Sequence, residues 1–168
     1  MRIRNAAAGA LLAMLAIDAA GAAEARTRLT QPSHFYVFGE FAHLDAPGIG
    51  MDGGGIGLGW HITQYLGIEG GGEYFRKTPL DLTNGHIEAM LSYPVTETFL
   101  IYASAGGAYV HGSANLGNGS ITRQSSGPRV GLGVEHWFAD HWGLRAAYHR
   151  QNAGGVADDL NIGVAFRF

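Results

Sequence analysis

Apolar residues recur at every second position in eight separate segments of this chain, and no stretch sustains a helical period. The clearest case is the ending, DDLNIGVAFRF. There Leu160, Ile162, Val164, Phe166 and Phe168 alternate with Asn161, Gly163, Ala165 and Arg167. The eight segments run over 34–44, 53–62, 65–77, 84–93, 99–112, 126–138, 142–151 and 159–168. A period of two puts successive side chains on opposite faces of a strand, so each segment has one apolar face. Many of the 27 glycines fall inside these strands, among them Gly57, Gly59, Gly70, Gly131 and Gly133. Glycine weakens an ordinary sheet but suits a sharply curved one with large rings packed over it. The pattern predicts an all-β fold, an eight-stranded antiparallel up-and-down barrel.

Parity assigns the two faces. In the second segment Ile56, Leu58, Trp60 and Ile62 oppose Gly55, Gly57, Gly59 and His61. In the seventh, Trp142, Leu144, Ala146 and Tyr148 oppose Gly143, Arg145, Ala147 and His149. A soluble barrel turns its apolar face inward and a membrane barrel turns it outward; alternation alone does not choose. Three features favour the outward arrangement. Large rings (Trp60, Tyr74, Tyr93, Phe99, Tyr109, Phe138, Trp142 and Phe168) lie near segment ends, as in the aromatic girdles of membrane barrels. The opposite faces are rich in glycine and alanine, which suits a narrow interior. Charged residues make up only 15% of the chain, few for a water-facing surface. Each segment is also close to the length a tilted strand needs to cross a bilayer.

The N-terminus agrees with export. Arg2 and Arg4, the apolar stretch Ala6 to Ile17, and Ala20-Gly21-Ala22-Ala23 read as a secretory leader over 1–23, leaving a barrel domain over 24–168. Without Arg2, Arg4 and Asp18, the 11 basic and 14 acidic residues become 9 and 13, a net charge of −4. That balance disfavours nucleic acid as a partner. With no cysteine in the chain, disulfides and a lipid-anchored form are excluded. Connections after the first, third, fifth and seventh segments are the longer and more polar ones. They are expected to form four exposed loops, 45–52, 78–83, 113–125 and 152–158, opposite short turns.

The stretches YLGIEGGGEY, GVEHWFADHWGLRAAYHRQN and terminal GVAFRF together resemble the transmembrane domain of the OmpA-like family and its OmpX and Ail relatives. The likeness runs through nearly all of 24–168. It implies a bacterial outer-membrane barrel in contact with membrane lipid and lipopolysaccharide. It also implies that Phe168, with Phe166, forms the sorting signal read by the barrel-assembly machinery. Inward parity collects Glu40, Glu69, Glu73, Glu88 and Glu135 against Arg129, Arg145 and Arg167, with His61, His86 and His149 beside them. Such charges are tolerable in an enclosed space only when paired and hydrogen-bonded. By resemblance, Glu69, Glu135 and Arg145 align with interior residues whose exchange of partners is linked in the family to gating of a narrow pore. This chain departs from that pattern at Ser104, where a basic residue is expected.

The expected role is structural or surface-interacting, through the loops and without catalysis; the alternative is a narrow passive channel. No wall-binding domain is expected, since the chain stops at Phe168. A third reading comes from His149-Arg150-Gln151-Asn152, which is similar to the motif of outer-membrane lipid A deacylases. A serine esterase needs a hydroxyl nucleophile beside its base, and Gln151 occupies that position. No cofactor is expected. His43, His86, His111 and His149 are placed near the rim without the fixed spacing of a metal site.

Overall fold

A computed structural model describes residues 33–168 except 116 and 118, so the leader expected at 1–23 lies outside the described residues. Eight strands follow one another: β1 (His34–Ala46), β2 (Ile49–His61), β3 (Leu66–Lys77), β4 (Leu80–Pro94), β5 (Phe99–Asn115), β6 (Ser120–Trp137), β7 (Trp142–Asn152) and β8 (Val156–Arg167). Each is hydrogen-bonded antiparallel to the next, and β8 returns to β1, closing the barrel. The predicted fold class is the one observed.

The expected loops are largely absent. Pairing continues through Ala46↔Ile49, Lys77↔Leu80, Asn115↔Ser120 and Asn152↔Val156, leaving turns at 47–48, 78–79 and 153–155. Turns at 62–65, 95–98 and 138–141, on the end carrying His34 and Phe168, are no shorter, so the expected alternation of long and short connections does not hold. The polar residues that suggested loops instead decorate the outer face of extended hairpins. They pair across strands there: His43 Nδ1 lies 2.6 Å from Asp52 Oδ1, Arg76 Nε 3.2 Å from Asp81 Oδ1, and Arg150 Nε 2.8 Å from Asp158 Oδ1. Tight reversal at 47–48 uses Gly48 at φ +84°, a conformation that side chains disfavour.

The outer surface is apolar. Ile56 is 76% exposed and Leu132 65%, with Leu58, Ile87, Leu91 and Ile162 on the same surface. Trp60, Tyr93, Phe138, Trp142 and Phe168 ring the end carrying the terminal strand ends, and Tyr74 and Tyr109 lie in the hairpin half. Phe99, expected among the open girdle rings, is instead covered. It packs with Val134, Leu144 and Ala146 and has the ring of His136 6.4 Å away. His136, outward by parity, is thereby buried rather than presented to lipid.

Apolar side chains also enter the barrel at both ends. Ala42, Leu44, Met51, Phe75 and Ala157 form a cluster under the hairpins, joined by Leu80 and Leu82. At the other end Tyr36, Phe38, Trp137 and Ala165 form a second. The Tyr36 and Phe38 rings occupy the space over Gly59 and Gly57 of β2, where a Cβ would overlap them. These glycines therefore supply room for rings inside a narrow barrel.

Candidate functional site in the barrel interior

Between the two apolar layers lies a polar interior supplied by inward positions of every strand. Arg129 of β6 is its upper hub and is fully buried. Its Nη2 donates to Glu73 Oε1 at 3.1 Å and to Asp159 Oδ2 at 3.2 Å, and its Nη1 to Gln151 Oε1 at 3.4 Å. Asn84 Nδ2 donates to Glu73 Oε2 at 2.6 Å, while Asn161 Nδ2 bridges Glu73 Oε1 at 2.9 Å and Glu40 Oε1 at 2.8 Å. Glu73 thus accepts from three side chains on three other strands. That many charge-assisted bonds offset much of the cost of enclosing a carboxylate.

A second hub sits nearer the terminal strand ends. Arg145 of β7 reaches Glu69 of β3 with Nη1 2.9 Å from Oε2 and Nη2 2.9 Å from Oε1, a two-pronged pairing. Tyr36 donates its hydroxyl hydrogen to Glu69 Oε2 at 2.7 Å, and Tyr102 accepts from Arg145 Nη2 at 3.1 Å. The guanidinium also stacks over the Phe38 ring, 4.0 Å from its centre. Glu135 lies 3.4 Å from His61 Nε2, and His61 stacks on Tyr36.

Of the residues singled out in the sequence, Glu40, Glu69, Glu73, Glu88, Arg129, Glu135 and Arg145 all face this interior. Arg167 faces inward too, but at the far end: it donates from Nε to the Asp140 carbonyl at 2.6 Å and lies over the Trp137 ring. Phe166 and Phe168 are on the outer face, and Phe168 N donates to the Phe35 carbonyl at 3.1 Å, anchoring the last residue to β1. His86 and His149 are mid-barrel rather than at the rim. β4 begins four residues before its sequence segment, which lowers His86 relative to the mouth, and His149 reaches Glu88 of the same strand, its Nε2 3.5 Å from Oε2.

Asp159, Asn84, Asn161 and Gln151 are network members that sequence reasoning passed over. The uncharged amides among them carry no sequence signal except inward parity. The hydroxyl that comes near His149 belongs to Ser104 of β5, not to a residue of its own strand. Ser104 Oγ and the His149 ring both overhang Gly131, where a Cβ would meet them. Both groups are buried, and His149 Nε2 lies 3.5 Å from Glu88 Oε2.

The sequence profile of the outer membrane protein beta-barrel domain family matches residues 7–168. Outer membrane protein A of Yersinia pseudotuberculosis is 31% identical over 140 residues, covering 69% of this chain. Outer membrane protein A of Serratia marcescens is 29% identical over the same length. The chain spans about two-fifths of the length of these relatives, 40% and 39%. Among solved structures, the N-terminal barrel domain of Pseudomonas aeruginosa OprF superposes with a TM-score of 0.63 at 18% identity, covering 79% of this chain and 97% of that one. Ail, the attachment invasion locus protein of Yersinia pestis, gives 0.61 at 14% identity, covering 81% and 97%. The closed barrel and apolar outer surface agree with these matches, and the chain belongs to the outer membrane protein beta-barrel domain family, an integral protein of the outer membrane.

Proposed function

We propose that this barrel serves the envelope as a structural and surface-interacting element, and that it neither conducts nor catalyses. The observation supporting this is the continuity of the interior. Phe75 and Leu44 close one end, Tyr36 and Trp137 the other, and the two arginine hubs fill the space between. An ion crossing this lumen has to displace Phe75, which has no exposed surface, and then separate Arg129 from Glu73 in a low-dielectric setting. An ester substrate meets the same obstacle on the way to Ser104 and His149.

Export through the leader at 1–23 and assembly through Phe166 and Phe168 belong to this reading, as do contacts of the outer surface with lipid and lipopolysaccharide. Surface interaction then falls to the hairpin tips rather than to long loops. Ail has been solved with the heparin analogue sucrose octasulfate. In this chain Arg76 and Arg150 are held by Asp81 and Asp158, and Lys77 Nζ donates to the Gly50 carbonyl at 2.9 Å. A polyanion would have to compete for those cations, so the hairpin end favours a partner of mixed charge.

Planar-bilayer recording tests the closed interior. Refolded protein is expected to insert without conductance steps; steady single-channel steps would overturn the reading.

A further inference from the structure

One cluster in the interior keeps donor atoms that the two arginine hubs do not hydrogen-bond. Glu69 of β3 and Glu88 of β4 are direct register partners, and His86 lies two residues from Glu88 on the same face. Each offers a ligand atom, and the three atoms lie within 4.8 Å of one another, all buried. Two carboxylates directly opposite on antiparallel strands repel unless something positive sits between them.

The donors differ in how they are held. Glu69 is clasped by Arg145 and Tyr36 as described. Glu88, 2% exposed, has no hydrogen bond at Oε1; the nearest cationic group there is Arg129 Nε at 3.6 Å. Its Oε2 is 3.5 Å from His149 Nε2. His86, 9% exposed, has no hydrogen-bond partner at Nδ1. Two of the three donors thus keep lone pairs uncommitted in an enclosed space, which is costly for a carboxylate or an imidazole.

The charge balance of the lumen points the same way. Among the described residues its carboxylates are Glu40, Glu69, Glu73, Glu88, Glu135 and Asp159, and its guanidinium groups are Arg129, Arg145 and Arg167. Six against three leaves a surplus of three acidic groups in a space closed at both ends.

We propose that Glu69, His86 and Glu88 bind a divalent transition-metal ion of the zinc type inside the barrel. Two carboxylates and one imidazole make an oxygen and nitrogen donor set suited to zinc, cobalt or manganese, with a further position left for water. Two positive charges between Glu69 and Glu88 cancel their repulsion and reduce the acidic surplus from three to one. His149 then stands behind Glu88 as a positioning residue. Because apolar layers close both ends, the ion enters as the barrel forms rather than afterwards.

The test is to refold the untagged chain in detergent with cobalt(II) or zinc(II), remove free metal, and measure bound metal together with the visible cobalt spectrum. About one equivalent per folded barrel is expected, with cobalt ligand-field bands. Glu88→Gln and His86→Gln are each expected to lower bound metal at least tenfold. Glu135→Gln, an interior acid outside the cluster, and His43→Gln, at the exposed His43–Asp52 pair, are expected to leave it unchanged. Heat-modifiable gel migration verifies that each preparation is folded. Less than a tenth of an equivalent in folded wild-type protein overturns the proposal, whatever the variants do. So does binding that survives both cluster substitutions or is lost with His43→Gln.

Discussion

Arg129 on β6 and Glu73 on β3 meet inside the lumen, Nη2 3.1 Å from Oε1, with both side chains sealed from solvent. Neither strand is adjacent to the other in the sheet. The pair therefore ties two non-adjacent strands together through the lumen.

Removing the cation while keeping its bulk is expected to be severe. Arg129→Met leaves Glu73 and Asp159 without their shared cation, and loss of one partner of a buried pair costs about 3–5 kcal/mol. Urea unfolding in lipid vesicles should show the midpoint falling accordingly. Adding Glu73→Gln to that variant should recover part of the loss.

Two glycines separate packing from backbone effects. Gly59→Ala drives a methyl group into the Tyr36 ring, whereas Gly39→Ala meets nothing within 4 Å. Overpacking of this kind costs about 1–3 kcal/mol. The first variant should lose that much in the same unfolding assay, and the second should match the parent within error.

A charge on the outer surface should be penalised by the membrane itself. Leu132 is outward and near the middle of β6, opposite Ala103 and Tyr148 in register. Leu132→Arg should destabilise the vesicle-embedded barrel by about 2–4 kcal/mol. The same substitution at Tyr93, beside the turn at 95–98, should cost less, since the penalty declines toward the interface. Equal costs at the two depths would contradict the placement.

The chain's ending gives a test in cells. Phe168→Gln removes the outward ring hydrogen-bonded through its backbone to Phe35 but leaves the interior untouched. Assembled barrel in the outer membrane should fall several-fold, while refolding of the purified variant in detergent should be nearly normal. A parallel loss in both settings would assign Phe168 to packing rather than to assembly.

Strand number, strand order and facing were legible because period-two alternation is a local signal, repeated eight times with the same sense. Even Tyr36 and Phe38, awkward as inward rings, follow from the parity of Glu40, and Gly57 and Gly59 explain how they fit. Strand ends were not legible. Asp45, Asp52, Asp81 and Asp158 look like loop residues, yet each lies on a hairpin, three of them paired with a neighbouring histidine or arginine, because the ladder outruns the apolar alternation. The interior layering was equally hidden. Leu44, Met51, Phe75 and Trp137 are inward apolar residues in a barrel whose apolar face is outward, and composition cannot distinguish them from lipid-facing ones. The joining of Glu69, His86 and Glu88 depends on register between β3 and β4, which the sequence does not specify by itself.

The account as a whole depends on the outward apolar surface meeting hydrocarbon. Because the chain has no cysteine, single nitroxide labels can be placed at Ile87, Leu132 and Ile162 without background. In vesicles, collision with dissolved oxygen should exceed collision with a water-soluble nickel chelate at all three positions, most strongly at Leu132. Nickel exceeding oxygen at these positions would place water against that surface and contradict the account.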